Sequence, residues 1–219
     1  MNQNPGEPRI RAGLILAGGK SSRMGTPKAL LTLAGKPLVT RVADALLTVA
    51  DPVLVSLSST MDPAPYRRIL PPTVQLVLDQ GKSNHPLVGI LSGLSQLPPC
   101  YCAILSCDLP FASAPILAQL FQEAEGYDAA IPQWPDGRLE PLHAVYRSTE
   151  TLAAARRTIQ ETEFSNQDLV KRLQHARLVP TDRLQPFDPP LLTFFNVNTP
   201  MDLERAERLL PTRGPATPP

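Results

Sequence analysis

The sequence predicts an α/β fold in which a mostly parallel sheet is doubly wound, with helices on both faces. Three observations carry that expectation. Short apolar runs of strand length alternate along the chain with segments whose apolar residues recur every three or four positions. The run at residues 101–106 is almost wholly apolar, as a strand covered on both faces of a parallel sheet must be. A first apolar run at residues 12–17 stops abruptly at Gly18-Gly19, a strand running into a turn where two glycines allow close backbone approach.

The elements follow in order. After the first strand and a polar stretch, residues 29–33 form a short apolar segment closed by the turn Ala34-Gly35-Lys36-Pro37. Pro37 suits the first position of a helix, and Leu38, Val42, Ala45, Leu46 and Val49 supply its apolar face. Asp51-Pro52 ends that helix and residues 53–57 read as the second strand. Residues 65–70 read as a short helix. Residues 73–78, alternating at Val74, Leu76 and Leu78, are a third strand ending at Asp79, and residues 79–85 are a polar loop. A helix over 86–97, the strand at 101–106, a helix over 115–125 and a short strand at 129–131 come next. Trp134 to Arg138 reads as a hairpin turn leading into a strand at 139–146. Ser148 or Thr149 is the expected cap of a helix reaching Gln160, followed by a helix over 166–175 and a strand at 177–179. The apolar run 191–197 reads as one more strand, and 201–210 as a closing helix.

Composition bounds the function. At 219 residues the chain suits one domain, over 10–210, able to bury about 70% of its unfolded surface. A nucleotide-binding half is expected at about 10–125 and an acceptor-binding half at about 126–210, with flexible ends at 1–9 and 211–219. Lys+Arg 21 against Asp+Glu 20 leaves a net charge of +1, which supplies no field for nucleic acid or an anionic membrane. No apolar run is long enough for a membrane span and the N-terminus lacks a signal-peptide core, so a cytoplasmic location is expected. Cys100, Cys102 and Cys107 lie in a strand and match no common zinc spacing, which reads as reduced thiols. The 26 prolines, several of them paired, punctuate loops.

The chemistry is concentrated after the first strand. Residues 18–28 combine Gly18, Gly19, Lys20, Arg23 and Lys28 with little that is apolar, a composition suited to polyphosphate. Because this loop is polar, removing Lys28 or Arg23 is expected to cost folding little. The Walker pattern nearly fits Gly19-Lys20-Ser21, but its first glycine would fall on Leu14. The G-x-G-x-x-G pattern fails at Lys20. At the other strand ends stand Ser56, Asp79 and Asp108, where an open α/β sheet binds its ligands. Asp108 ends an apolar strand, where a carboxylate needs a partner or a cation, so it is a candidate Mg²⁺ ligand beside the phosphates. It also fits a cap for a helix starting at Pro110.

The stretch from Leu14 to Lys28 resembles the signature L-A-(G/A)-G-x-(S/A)-x-R-M-G-x-x-K of nucleotidyltransferases that join a nucleoside triphosphate to an acceptor phosphate. Phe194 to Leu203 resembles the segment F-x-N-(V/I)-N-T-P-x-(D/E)-L of the molybdenum cofactor guanylyltransferases. With Pro86-Leu87-Val88-Gly89 and Cys107-Asp108-Leu109-Pro110, the likeness spans about residues 10–210. It implies a Rossmann-like sheet of the nucleotide-diphospho-sugar transferase type. It also implies transfer of GMP from GTP to the terminal phosphate of molybdopterin, with release of pyrophosphate and with Mg²⁺ on Asp108.

By that resemblance Lys28, Asp108 and Arg23 are catalytic. Leu16, Ala17, Gly18, Gly19, Lys20, Lys28, Ser56, Asp79 and Asp108 bind nucleotide, with Ser56 standing where relatives often carry Asn. Asn196 and Asn198 meet the acceptor, although Thr199-Pro200 beside them equally suits a plain helix start. Residues 140–143 are placed at the pterin pocket, while His143 also fits a core histidine. The acceptor itself would come from cofactor-delivery proteins.

The base is read two ways. Relatives that use CTP carry Ala where this chain has Gly18, and a glycine leaves room for a purine. Thr26-Pro27-Lys28, however, looks like the CTP-using relatives. A cytidylyltransferase on the same acceptor, a sugar-phosphate nucleotidyltransferase and a non-catalytic nucleotide-binding regulator are the competing functions. The last would be expected to lack Lys28 or Asp108, and both are present.

Overall fold

The computed structural model describes residues 10–18, 26–80, 85–160 and 165–210. Gly19, Lys20 and Arg23, and the two ends expected to be flexible, lie outside the described residues.

Strand β1 (Arg11–Leu16) opens the chain, and a 3-10 turn at Lys28–Leu30 leads into a hairpin of β2 (Thr32–Leu33) and β3 (Lys36–Pro37). Its turn places Ala34 and Gly35 at φ of 49° and 77°, the left-handed pair that suits the twist of a tight hairpin. Helix α1 (Leu38–Leu47) follows, with Pro37 as its N-cap in extended geometry, one position earlier than expected. Then come β4 (Val53–Leu57), α2 (Ala64–Ile69), β5 (Gln75–Leu78), α3 (Pro86–Leu94), β6 (Tyr101–Ser106) and α4 (Ala114–Ala124). The second half holds β7 (Ala129–Gln133), β8 (His143–Arg147), α5 (Ser148–Thr158), α6 (Asn166–Lys171), β9 (Ala176–Pro180) and α7 (Pro200–Leu209).

Among the described residues seven strands form one sheet in the order β5-β4-β1-β6-β8-β7-β9. All run in one direction except β8, which is antiparallel to both β6 and β7. The hairpin at Trp134 explains the reversal. Gly137, at φ 86°, donates its N–H to the Trp134 carbonyl and Trp134 donates to Arg138, which turns the chain back on β7.

Residues on the central strands alternate between two cores. Ile15, Val53, Val55, Ala103, Leu105 and Val145 face one side and pack with α1, α2 and α4. Leu14, Leu16, Leu54, Cys102, Ile104 and Tyr146 face the other and pack with α3, α5 and α6. A third, smaller cluster joins Leu33 and Leu38 of the hairpin region to Val197 and Ala206 of the C-terminal segment.

Three expectations are corrected. The apolar run 191–197 is not a strand: it turns through 3-10 geometry at Leu192–Phe194 after Leu191 at φ 52°, and its apolar side chains enter cores instead of a ladder. Ser148 does not cap α5; its hydroxyl accepts from the Cys100 amide, which ties α5 to the start of β6. No helix begins at Pro110, since α4 starts at Ala114 with Ser113 as N-cap, so Asp108 is not a helix cap.

Gly93 lets α3 lie directly on β1. A Cβ there would clash with the Leu14 side chain, which is fully buried, so one of the two must shift. Gly93→Ala is therefore expected to destabilise the fold by about 1–3 kcal/mol. Thermal or urea unfolding measures it, and an unchanged midpoint would show that α3 is free to shift.

Candidate nucleotide-binding site

Strand order reverses between β1 and β6. The chain leaves β1 for β4 and β5 on one side, then returns to place β6 on the other. In an open α/β sheet the diverging loops at such a point leave a crevice beyond the strand ends. A cleft of about 150 Å³ opens there, lined by Leu16, Ala17, Gly18, Lys28, Ser56, Asp79, His85, Gly89, Asp108 and Leu142, among others. Its floor is rigid because the ladders run on past the strands. Ala17 donates to the Ser56 carbonyl, Cys107 to the Leu16 carbonyl and Asp79 to the Leu57 carbonyl.

One wall is a charged contact between three distant segments. Lys28 Nζ lies 2.9 Å from Asp108 Oδ2 and 2.9 Å from Asn198 Oδ1. Asp108 is 7% exposed, and its other oxygen, Oδ1, is buried and among the described residues has no hydrogen-bond partner. An unpartnered carboxylate oxygen at the edge of a cleft is costly to keep dry, and it is the donor a hard divalent cation takes. No cluster of three or more His, Cys, Asp or Glu occurs among the described residues. The set therefore fits a divalent ion that completes its shell with water and substrate oxygens. The pairing also revises the stability expected for Lys28: its removal strands a buried carboxylate, which is more than a surface-type loss.

Asn198 is held from behind. Its amide N–H donates to Asp202 Oδ2, which also accepts from the Thr199 N–H and hydroxyl, while Thr199 Oγ1 accepts from the Asp202 amide. This capping box opens α7 and orients the asparagine on the residue before the cap. These donors hold the Asp202 carboxyl below its ordinary value, the Thr199 hydroxyl contributing most. The Val197 N–H donates to the Asp108 carbonyl, closing the C-terminal segment onto β6.

The opposite wall is built by close approach. Ser56 Oγ donates to Asp79 Oδ1 in a short hydrogen bond. A Cβ on Gly18 would lie 3.1 Å from the Ser58 amide nitrogen and 3.2 Å from Asp79 Oδ2, and one on Gly89 would lie 2.9 Å from Ser56 Oγ. The small residue at 18 thus makes room for Asp79 and the Ser58 backbone. On its Cβ side, Gly18 is required by the protein's own packing, whatever base is bound.

The model of the MobA-like NTP transferase domain matches residues 13–177. The chain belongs to this family. It is 34% identical over 209 residues to a protein of Methanosarcina acetivorans named probable molybdenum cofactor guanylyltransferase, covering 91% of each chain. A relative of the same name from Natronomonas pharaonis is 35% identical, covering 91% of this chain and 98% of its own. The crystal structure of molybdopterin-guanine dinucleotide biosynthesis protein A from Archaeoglobus fulgidus superposes with a TM-score of 0.72 at 27% identity, covering 90% and 97% of the two chains. The enzyme is a nucleotidyltransferase, and the α/β sheet expected from sequence is the one observed.

In this MobA-like transferase the expected residues separate clearly. Leu16, Ala17, Gly18, Lys28, Ser56, Asp79 and Asp108 meet at one cleft, while Gly19, Lys20 and Arg23 lie outside the described residues. Asn198 joins through Lys28. The Asn196 side-chain amide donates locally, to the Phe194 carbonyl two residues back at 3.0 Å. His143 is a core residue, with Nε2 3.2 Å from Thr193 Oγ1, its ring edge-on to Phe194, and burial lowering its pKa to about 3. Of residues 140–143, Leu142 reaches the cleft, whereas Glu140 accepts from Trp134 Nε1 and Arg138. All three cysteines are buried free thiols. Sequence reading missed His85, whose Nδ1 accepts the Leu87 N–H and caps α3 at the cleft rim. The Pro at the next position was the available signal, since it marks a helix start.

Burial raises the Asp79 carboxyl above its ordinary value, only partly offset by the Ser56 hydrogen bond. Folding then favours the protonated acid, so this group's contribution is intact below the unfolded value and is lost as pH rises through the raised folded value. Asp79→Asn is accordingly expected to raise the thermal midpoint at pH 7, with the gain shrinking as pH falls toward 4. A stabilisation that does not change with pH would show that Asp79 is not the group responsible.

Proposed function

We propose that this chain transfers GMP from GTP to the terminal phosphate of molybdopterin, forming the guanine dinucleotide cofactor and releasing pyrophosphate. The observation that carries the reading is Asp108, which lines a cleft at the switch point of the sheet with one oxygen paired to Lys28 and the other buried and, among the described residues, without a hydrogen-bond partner. Guanine is favoured by the names of the relatives from M. acetivorans and N. pharaonis.

The reaction is attack by the acceptor phosphate oxygen on the α-phosphorus, breaking its bond to the bridging oxygen of the leaving pyrophosphate. Alignment of the two phosphates and neutralisation of their charge account for catalysis of this kind without a covalent intermediate. Asp108 would hold a divalent ion, Mg²⁺ in the cell, which when bound supplies Lewis acidity and a template for phosphate oxygens. Lys28, with Lys20 and Arg23 of the same loop, would take the β- and γ-phosphates. The Gly18 backbone and the Asp79–Ser56 pair would position the nucleoside, with Leu16 and Ala17 beneath them at the cleft. Asn198, fixed by Asp202, would stand on the acceptor side together with residues of the 126–210 half, while Asn196 supports that segment. No helix among the described residues is long and apolar enough to cross a membrane. With the near-neutral charge, that fits a cytoplasmic enzyme supplied with its labile acceptor by delivery proteins and binding no nucleic acid.

Pyrophosphate release measured with the four NTPs and molybdopterin tests the reading, with GTP expected to give the highest kcat/KM. A preference for CTP, the reading favoured by Thr26-Pro27, would replace guanylyl with cytidylyl transfer. Asp108→Asn is expected to lower turnover by orders of magnitude while the protein stays folded, and near-normal metal-dependent turnover would remove Asp108 from the mechanism.

A further inference from the structure

Lys28 holds an ammonium against the carboxylate proposed to bind the divalent ion. Its ammonium lies within 2.9 Å of Asp108 Oδ2 and 2.9 Å of Asn198 Oδ1, two oxygens of the kind a hard divalent ion would take. Its side chain is 24% exposed and that of Asp108 10%, so the pair sits where attraction is only partly screened. The ammonium and a doubly charged ion bound to the same carboxylate would stand within a few ångströms of each other, and their repulsion is unfavourable. Oδ1, outside any cluster of three or more His, Cys, Asp or Glu among the described residues, is a poor resident site.

From this geometry we infer that Lys28 is a placeholder cation. It keeps the nucleotide-free enzyme from holding a divalent ion, and the ion enters with the triphosphate, whose oxygens draw the ammonium away from Asp108. Lys28 then exchanges one anionic partner for another, so its charge stays paired throughout. Asn198 tethers the ammonium on the acceptor side, which keeps the side chain in reach of both positions. The inference rests on the metal role proposed for Asp108 and adds an order to it.

The test is direct titration of Mn²⁺ onto nucleotide-free protein, followed by electron paramagnetic resonance or calorimetry. Lys28→Gln keeps a hydrogen-bond donor for Asp108 and removes the charge; Lys28→Met removes both and guards against a failure of either variant to fold. The wild type is expected to bind Mn²⁺ weakly, both neutral variants about tenfold or more tightly, and Lys28→Arg no better than wild type. The gain should vanish when Asp108→Asn is added to Lys28→Gln. Neutral variants that bind Mn²⁺ no better than wild type, or an equal gain in Lys28→Arg, would overturn the placeholder role.

A separate arm tells that failure from failure of the underlying reading. Wild type and Asp108→Asn are titrated with Mn²⁺ beside a non-reactive GTP analogue. Loss of tight Mn²⁺ binding in Asp108→Asn supports the metal site that the inference needs. Equal binding by the two proteins would overturn the site and the inference together.

Discussion

The contact between Lys28, Asp108 and Asn198 is the constraint on which the site depends, because its three members come from three different parts of the fold. Lys28 closes the loop after β1, Asp108 ends β6, and Asn198 precedes α7. Each arrives by a different physical route. Asp108 is delivered by a fully buried central strand, Lys28 by a 3-10 turn locked to the hairpin through Leu38 N–H to the Leu31 carbonyl, and Asn198 by a capping box. The third apolar cluster ties the second and third routes together, since Leu33 and Leu38 pack with Val197 and Ala206. A small core of few residues therefore bears directly on catalytic geometry, although none of its side chains touches the cleft.

The reversed strand β8 has a comparable role on the other side of β6. By running against β6 it brings the segment before His143 to the carboxyl end of β6, where the Ser106 N–H donates to the Leu142 carbonyl and Leu142 reaches the cleft. A further parallel strand would have ended there with its carboxyl terminus and needed a crossover helix. The antiparallel strand arrives through a tight turn at Gly137, beside Trp134, whose ring packs edge-on against Phe194. Trp134 is braced by Arg138 over its ring and by Glu140 on its indole N–H.

Carboxylates on the two walls are managed in opposite ways. One Asp108 oxygen is paired to Lys28, and the other is buried without a hydrogen-bond partner among the described residues. Asp79 has no cationic partner in the contacts described; burial raises its pKa and the Ser56 hydroxyl takes one of its oxygens. Both are buried at the carboxyl edge of one sheet, and they differ in their neighbours: a lysine ammonium for Asp108, a serine hydroxyl for Asp79.

Much of this was legible in residue order. The alternation of strands and helices, the glycine break after β1, and the carboxylates ending β5 and β6 follow from local patterning, because burial on two faces writes itself as continuous apolar runs. The conversion of residues 191–197 into a turn was not legible, since an apolar run looks the same whether it feeds a ladder or a core. Gly18 likewise marked a close approach, but only the fold shows that Asp79 and the Ser58 backbone make it. Sequence by itself determined the alternation of strands and helices and the carboxylates at the strand ends. Tertiary structure decided the reversed strand and the pairing of Lys28 with Asp108 and Asn198. Contacts across 80 and 170 residues depend on how packed layers meet, and no local pattern encodes that.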